Sequence, residues 1–302
     1  MSGPVPPREE RTAAGVAMMA LAVVFFTCID TSAKWLNLAG FPVMQIVFAR
    51  YAGHLVYASA LYLPQEGLNA FRSNHAPKQF LRSLFLLAST VLNFQALKYL
   101  PITVTTTIAF AGPIVVTLLA IPILGEKVGI RRLLAVCTGF LGVLVVVQPW
   151  GAEFHPAMLF SLAALFFASM YFVMTRMLAG VDSIATQQLW SSALATAILT
   201  PFAWYVWSWP ETAGQLTVLL IIGAFGALGH ICVTIAHRWA DASILAPLIY
   251  SQIFMAAFVG ILIFDTYPTI YTLGGGSIII ASGIYIWHRE RGKGAVPRPP
   301  HP

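Results

Sequence analysis

Residues 13–36 read AAGVAMMALAVVFFTCIDTSAKWL. The segment is uncharged up to Asp30 and is longer than the roughly 20 residues that a helix needs to cross a bilayer core. No small-residue cleavage site follows it, so it is predicted to be a retained transmembrane helix and not a signal peptide. Asp30 and Lys34 are four residues apart and would lie close together on one helix face. We expect Trp35 to mark the interface, which Lys34 can reach by snorkelling, whereas Asp30 lies one turn deeper and requires a partner.

The composition of the whole chain agrees with this first segment. Of its 302 residues, 58% are hydrophobic and 9% are charged, whereas a soluble domain carries about 25% charged residues. The high hydrophobic content and the low charged content indicate an integral membrane protein. They argue against a soluble enzyme, which would expose large apolar patches. The net charge of +6 arises from basic residues scattered over short loops, so no nucleic-acid partner is predicted. The three cysteines lie in separate apolar runs and indicate neither a disulfide framework nor a metal site.

Apolar segments recur along the chain between short polar breaks. Ten of them approach the length of a membrane span: 13–36, 43–63, 79–98, 102–124, 130–148, 156–178, 184–207, 214–237, 243–264 and 269–288. The sequence therefore predicts an all-α integral membrane protein with ten transmembrane helices. Residues 1–12 and 289–302 are predicted to be cytoplasmic tails, and the second is basic, rich in proline and expected to be disordered.

Lysine and arginine are distributed unequally over the predicted loops. With ten helices both termini share one side, and that side would hold every basic residue except Lys34 and Lys98, near helix ends on the opposite side, and Arg50, inside the second helix. Cytoplasmic loops carry an excess of these residues. We therefore predict a multi-pass protein of the bacterial inner membrane with both termini in the cytoplasm.

The two halves of the chain resemble each other at a shift of about 140 residues. The tripeptide LAG at 38–40, for example, recurs at 178–180. Two units of five helices, residues 13–150 and 156–288, account for this similarity. Because five is an odd number, the second unit would enter the membrane inverted, and inverted repeats are typical of secondary transporters.

An ordered set of motifs resembles the EamA-type members of the drug/metabolite transporter superfamily. The motifs are D-x-x-x-K-W at 30–35, P-x-x-Q-x-x-x-x-R at 42–50, A-L-K-Y-L-P at 96–101, G-P at 112–113, L-G-E at 124–126, F-D-x-x-P-T at 264–269 and S-G-x-Y at 282–285. The resemblance covers nearly the whole chain apart from the tails. It implies a carrier with a central cavity, in a family that includes exporters of amino acids and other metabolites and proteins likened to carriers of riboflavin or S-adenosylmethionine.

Arg50 is the charge most deeply placed in a predicted helix. A charged side chain at membrane depth costs about 2.5–3.5 kcal/mol on insertion scales, so Arg50 requires a cavity, a carboxylate or backbone carbonyls. Two interpretations remain open: a clamp for an anionic part of the substrate or a gate, and a structural ion pair, for example with Asp30. Asp30 and Lys34 are predicted gating residues at the outer end, where Asp30 would pair with Lys34 or with Arg50.

The fourth and ninth predicted helices occupy corresponding places in the two units. The fourth carries Gly112-Pro113 and the ninth carries Pro247, and proline interrupts helical hydrogen bonding. Interrupted helices at matching positions of two repeats point to a binding site, although close packing of small residues is an alternative. The predicted substrate-binding residues on these helices are Thr106, Phe110, Tyr250 and Gln252.

Asn93 and His230 are polar residues within apolar runs. An unpaired polar group costs several kcal/mol in lipid, so both should face the interior of the bundle. They join Arg50 among the predicted substrate-binding residues, although a lone histidine such as His230 is more often a hydrogen-bonded core residue than a proton relay. No metal ligands and no cofactor are predicted.

These observations predict a secondary transporter that moves a small organic metabolite by alternating access. An amino acid or related solute is the leading substrate class, with export favoured. Uptake of a vitamin or cofactor such as riboflavin or S-adenosylmethionine is the alternative, and an intramembrane enzyme is disfavoured because no metal-ligand set and no G-x-S-x-G motif occurs. The expected partners are the small-molecule substrate and the lipid bilayer, with the chain acting as a monomer or homodimer.

Overall fold

The computed structural model describes residues 12–124, 129–151, 154–178, 181–240, 245 and 248–291. Nearly all of both predicted tails, the end of the L-G-E motif and Pro247 lie outside the described residues. Every regular element in the described part of the chain is a helix, and no strand occurs there. The prediction of an all-α protein is confirmed.

The helices are numbered here in chain order. They are α1 Thr12–Leu38, α2 Val43–Glu66, α3 Ala76–Leu97, α4 Ile102–Ala109, α5 Gly112–Leu124, α6 Ile130–Val147, α7 Met158–Met177, α8 Ile184–Tyr205, α9 Ala213–Trp239, α10 Gln252–Phe264 and α11 Ile270–Arg291. Six stretches of the described chain are long and apolar enough to cross a membrane: Thr12–Leu38, Ala76–Leu97, Ile102–Ile123, Met158–Thr175, Ala213–Ala236 and Ile270–His288. The chain is therefore a multi-pass helical membrane protein.

The fourth predicted span is broken between α4 and α5. The backbone forms a turn at Phe110 and Ala111 and becomes helical again at Gly112. Pro113 has no amide hydrogen to donate to the carbonyl of Ala109, and its ring disfavours a continuous helix across this point. Proline is well tolerated in the first turn of a helix, which is where Pro113 lies in α5.

A second turn, at Tyr250 and Ser251, precedes α10 and lies 140 residues after the first. The Ser251 hydroxyl donates to the carbonyl of Leu248 at 2.6 Å, which partly replaces helical hydrogen bonding at the turn. The two turns touch: the rings of Phe110 and Tyr250 meet edge to face with centroids 5.3 Å apart. Both rings are buried, so the two breaks meet inside the bundle.

Helices from the first half of the chain pack against helices from the second half. The principal pairs are α1 with α9, α2 with α8, α3 with α7 and α6 with α11. In the last pair Ser282 donates to the carbonyl of Ala135, and Gly142 meets Gly275 farther along. Contact positions that rise along α6 and fall along α11 show that this pair is antiparallel.

Helices α2 and α9 cross with their backbones nearly in contact. A Cβ atom placed on Gly53 would lie 2.9 Å from the Cα atom of Gly223, so only glycine fits on either side of the crossing. Ile46, Tyr51 and Ile222 are fully buried around it and belong to one hydrophobic cluster. This close approach turns the face of α2 that carries the polar residues described below toward the bundle interior.

Asp182, in the loop between α7 and α8, joins that loop to the segment between α2 and α3. Its carboxylate accepts hydrogen bonds from the Ser73 hydroxyl at 2.6 Å, the Asn74 amide at 2.8 Å and the Gln79 side chain at 2.9 Å. Desolvation acts to raise the pKa of Asp182, but these three donors and the nearby His75 charge outweigh it, and the pKa of this carboxyl lies below its ordinary value. The ionised form is therefore stabilised by folding.

We expect the Asp182→Asn variant to melt at a slightly lower temperature than the wild type near neutral pH. Because the folded-state pKa is lowered, the stabilisation is present above the ordinary pKa of 3.8 and is lost as the pH falls through the folded-state value. Thermal unfolding of the detergent-solubilised protein across this range should show the difference shrinking with falling pH. Glu211→Gln, at an exposed carboxylate, is the control, and a difference that grew toward acid pH would contradict the prediction.

Candidate functional site

A cavity of about 280 Å³ lies between helices of the two halves. It is lined by α1, α2, α3, α4 and α7, by the break before α5, and by the residues around the start of α10. Six of the nine predicted site residues line it: Asp30, Arg50, Asn93, Thr106, Phe110 and Gln252. The structure thus brings into one cavity polar side chains that are up to 222 positions apart in the sequence (Asp30 to Gln252).

Asp30 is held by Asn93 and not by a basic residue. The Asn93 side-chain amide donates to a carboxylate oxygen of Asp30 at 3.1 Å, which joins α1 to α3 at the cavity wall. The Arg50 guanidinium lines the same cavity without hydrogen bonding to this carboxylate. The predicted pairing of Asp30 with Arg50 is therefore absent from this structure, and both charges face the cavity.

Lys34 lies outside the cavity wall and stabilises the end of α3. Its buried ammonium group donates to the carbonyls of Leu97 at 3.3 Å and Leu100 at 2.8 Å. The last carbonyls of a helix have no partner within the helix and carry partial negative charge, so they attract a cation. The Lys34 side chain also lies 5.5 Å from the ring centroid of Phe264. The predicted pairing of Asp30 with Lys34 is wrong, because the carbonyls of Leu97, at the end of α3, and of Leu100, in the turn after it, take the ammonium group.

Arg50 is 6% exposed. Its guanidinium packs on the ring of Tyr51 at 4.5 Å from the ring centroid, and the Tyr51 hydroxyl is itself hydrogen bonded to Thr90 of α3 at 2.9 Å. The Nε and Nη1 atoms of Arg50 are buried and have no hydrogen-bond partner. Arg50 is therefore held in position by packing while part of its hydrogen-bonding capacity is unused.

Tyr250 and His230 lie behind the cavity wall. Tyr250 packs its ring on Phe110 and points its hydroxyl at Gly283, where no Cβ atom would fit. His230 stacks on His54 with ring centroids 5.7 Å apart and an interplanar angle of 22°. Neither residue is part of the cavity lining, so each would affect a bound solute only through its neighbours.

The cavity has a face on α7 that the sequence analysis overlooked. Ser161, Leu165, Ser169 and Phe172 all line it, and their spacing of four, four and three residues places them on one side of a helix. The Ser161 hydroxyl is buried without a partner. This periodicity was visible in the sequence, but it could not be distinguished from the packing of small residues in a membrane helix.

Arg82 is a second buried arginine that the sequence analysis assigned to the cytoplasmic end of its helix. It is 4% exposed and lies between α3, α7 and α8. It donates to the Thr175 hydroxyl at 2.8 Å, the Tyr171 hydroxyl at 2.9 Å, the Ser191 hydroxyl at 3.0 Å and the Gln187 carbonyl at 3.2 Å. These acceptors come from two distant helices, so the sequence alone carried no sign of them.

Among the described residues, no group of three or more histidine, cysteine, aspartate or glutamate side chains is placed to hold a metal ion. The cavity wall carries hydroxyl, amide, carboxylate, guanidinium and aromatic groups. Such groups can bind and orient a small polar solute.

Several curated proteins are similar to this chain over nearly its whole length. The S-adenosylmethionine uptake transporter of Rickettsia bellii is 28% identical over 282 residues, which cover 92% of this chain and 94% of the relative. The riboflavin transporter of Brucella anthropi is 28% identical and covers 91% of this chain and 98% of the relative. The pseudopaline exporter of Pseudomonas aeruginosa is 26% identical, with 92% and 97% covered.

The fold also occurs in a solved crystal structure, with a TM-score of 0.65 at 17% identity over 94% of this chain and 99% of that one. At this identity the likeness establishes the fold alone. Residues 13–148 and 155–287, most of the chain, match the EamA-like transporter family. The helical membrane architecture, the cavity between the two halves and this match agree, and the chain belongs to the EamA-like transporter family.

Proposed function

We propose that this chain, a membrane transporter of small metabolites, carries its solute through the cavity as a secondary transporter working by alternating access. The observation that carries the proposal is the cavity itself. Its wall combines Asp30, Arg50 and Asn93 from the first half with Ser161 and Gln252 from the second. A site shared by two halves is exposed to opposite sides of the membrane in turn when the halves rock against each other.

Ten spans arranged as two inverted units, residues 13–150 and 156–288, are part of the proposal. The α4–α5 pair supplies one span, as does the segment ending in α10. In this arrangement α1 of the first unit corresponds to α7 of the second, and α3 of the first corresponds to α9 of the second. The contact of α1 with α9 therefore has its counterpart in the contact of α7 with α3, and both are principal contacts of the fold. The 140-residue offset between the contacting breaks at Phe110 and Tyr250 supports the same arrangement.

The orientation proposed is that both termini face the cytoplasm of a bacterium across its inner membrane. Contacts involving loops occur at each of the two ends of the helix bundle, which supports assigning the ends to opposite sides of the membrane. Asp182 joins the α7–α8 loop to the Ser73 segment at the end rich in basic residues, and Gln45 bonds Ser208 at the opposite end. Cytoplasmic loops carry the excess of lysine and arginine.

The direction and substrate have two candidates. Export of an amino acid or related solute is the first, and the pseudopaline exporter shows that a similar protein is named as an exporter. Uptake of a vitamin or cofactor is the second, favoured by relatives named for uptake of S-adenosylmethionine and for riboflavin. The proposed binding residues are Arg50, Asn93, Thr106, Phe110 and Gln252 at the wall, with Tyr250 and His230 behind it and Asp30 and Lys34 near the outer end.

The experiment is transport into proteoliposomes made from the purified chain. Labelled amino acids, riboflavin and S-adenosylmethionine are supplied outside vesicles that are empty or preloaded with the same unlabelled solute. We expect one solute to accumulate faster in the preloaded vesicles, because exchange needs a site that is accessible from both sides. Protein-free liposomes are the control for leakage. Equal uptake by empty and preloaded proteoliposomes for every solute would contradict the proposal.

Thr106→Val and Thr107→Val form a matched pair for locating the site. The Thr106 hydroxyl lies at the cavity and has no partner, whereas Thr107 lies outside the cavity lining and donates to the carbonyl of Thr103. We expect Thr106→Val to reduce solute affinity by about 2- to 10-fold, the value of one hydrogen bond. Transport titrations should show little change for Thr107→Val, and equal losses in both variants would contradict a solute contact at Thr106.

A further inference from the structure

Arg50 and Arg82, the two buried arginines among the side chains that the structure describes, differ in how their hydrogen-bonding capacity is used. Arg82 donates to three hydroxyl groups and one backbone carbonyl, at distances of 2.8–3.2 Å. Arg50 lies at the cavity with its Nε and Nη1 atoms buried and unpartnered. A buried donor without an acceptor is costly, and more so when it belongs to a charged group. The free energy lost at Arg50 is recovered if an acceptor arrives from outside the chain.

A second unpartnered nitrogen lies on the same face of α2. His54 follows Arg50 by four residues, which places the two side chains next to each other on the helix. His54 is 3% exposed, and its Nδ1 atom has no hydrogen-bond partner. Gly226 of α9 faces both: a Cβ atom there would lie 3.8 Å from Nδ1 of His54 and 3.9 Å from Cγ of Arg50. Two polar side chains, each with at least one unpartnered nitrogen, thus converge beside a residue that has no side chain.

We propose that the anionic group of the transported solute docks on the Arg50 guanidinium, next to which His54 lies on α2 outside the cavity lining, and that the solute belongs to the class of small organic molecules bearing a carboxylate. The inference rests on the proposed transport function and adds the substrate chemistry. The guanidinium is a planar fork whose donors match a carboxylate in a bidentate manner. Packing on Tyr51 fixes its plane before the solute arrives.

The opposite charge in the cavity limits this class further. Asp30 lines the same cavity and is held by a single donor, Asn93. In its ionised form this carboxylate repels a second negative charge on the solute, which disfavours dicarboxylates and phosphate esters. The same carboxylate accepts from an ammonium group or another donor at the far end of the solute. A monocarboxylate with a donor or cationic group away from the carboxylate fits both ends.

The experiment is thermal unfolding of the purified full-length chain in detergent with three sets of probes. The first set contains the common amino acids, the second their methyl esters, which lack the anionic group, and the third their N-acetyl forms, which lack the cationic group. We expect at least one free amino acid to raise the melting temperature, with its ester producing no shift and its N-acetyl form a smaller one. Arg50→Gln should abolish the shift, weakening apparent affinity by about tenfold or more.

The melting temperature without ligand distinguishes a solute-binding arginine from one that only joins helices, because removing the latter would lower it. Arg50→Gln should melt no lower than the wild type, because it removes a buried charge that has no acceptor. Arg50→Lys keeps the charge without the fork and should bind the acid more weakly than the wild type but more tightly than Arg50→Gln. Lys98→Gln, which removes an exposed charge away from the cavity, should retain the full ligand-induced shift.

Three results would overturn the proposal. In the first, esters stabilise the protein as well as the free acids do. In the second, Arg50→Gln lowers the ligand-free melting temperature and leaves the shift produced by the free amino acid intact. That result would be expected if Arg50 only joined helices. In the third, no carboxylate probe binds. Transport of riboflavin by the same preparation would then leave the proposed function standing, whereas the absence of any transport would contradict that function separately.

Discussion

Replacing Arg82 by alanine should lower the free energy of unfolding by about 3 kcal/mol. The side chain is 4% exposed and makes charge-assisted hydrogen bonds to residues of α7 and α8, and each such bond contributes about 1.5–3 kcal/mol. Truncation also leaves a void between three helices, which adds to the cost. Removing the buried charge offsets part of this loss. A thermal or denaturant unfolding curve in detergent measures the effect.

Lys78→Ala is the matched control for Arg82→Ala. It removes the same charge one turn earlier on α3, at an exposed position, and should change the stability by less than about 0.5 kcal/mol. Arg82→Lys should fall between the two, because one ammonium group cannot reach acceptors on Tyr171, Thr175 and Ser191 at once. If Arg82→Ala and Lys78→Ala had the same melting temperature, the helix-joining role of Arg82 would be refuted.

Gly223→Ala should destabilise the protein by about 2–3 kcal/mol, the range for overpacking a tight site. A Cβ atom at this position would lie 2.5 Å from the Cα atom of Gly53 and 2.8 Å from the backbone nitrogen of His54. Backbone atoms cannot rotate away as a side chain can, so α2 and α9 must move apart. The movement shifts Arg50 and His54 as well, and we therefore expect solute affinity to fall together with the melting temperature.

Gly274→Ala provides the comparison within the same class of substitution. Gly274 lies inside α11, and a Cβ atom there would meet nothing within 4 Å. Alanine favours a helix over glycine by up to about 1 kcal/mol, so this variant should be neutral or slightly stabilised. Unfolding curves for the two variants, measured side by side, separate the crossing from general helix propensity. A loss at Gly274 equal to that at Gly223 would show that the tight crossing is not the cause.

The positions of the helices were largely predictable because membrane spans are defined by hydrophobicity along the chain. The predicted fourth span at 102–124 corresponds to α4 and α5, Ile102–Ala109 and Gly112–Leu124. The Gly112-Pro113 pair predicted an interruption there, since proline lacks the amide hydrogen that would continue the helical hydrogen bonding. The edge-to-face contact of Phe110 with Tyr250 was not predictable, because it depends on how two helices lie against each other.

The candidate site was predictable in composition but not in its pairings. Arg50 and Asn93 were expected at a cavity or in the interior because polar groups are costly in lipid, and both line the cavity. The expected partner of Asp30 was a basic residue, yet Asn93 holds it. Lys34 instead binds the carbonyls of Leu97, the last residue of α3, and Leu100, in the turn that follows, and no pattern in the sequence marks a backbone carbonyl as an acceptor.

The class of protein, the helical segments and the inward placement of the polar residues follow from local sequence, since each depends on the residues of one segment and the solvent around it. Which of the two interior arginines finds hydrogen-bond acceptors depends instead on how the helices pack. Arg82 meets hydroxyl groups from α7 and α8, whereas Arg50 meets the ring of Tyr51 and an open cavity. The acceptors that distinguish them lie on other helices, and the rotation of each helix about its axis sets which side chains meet.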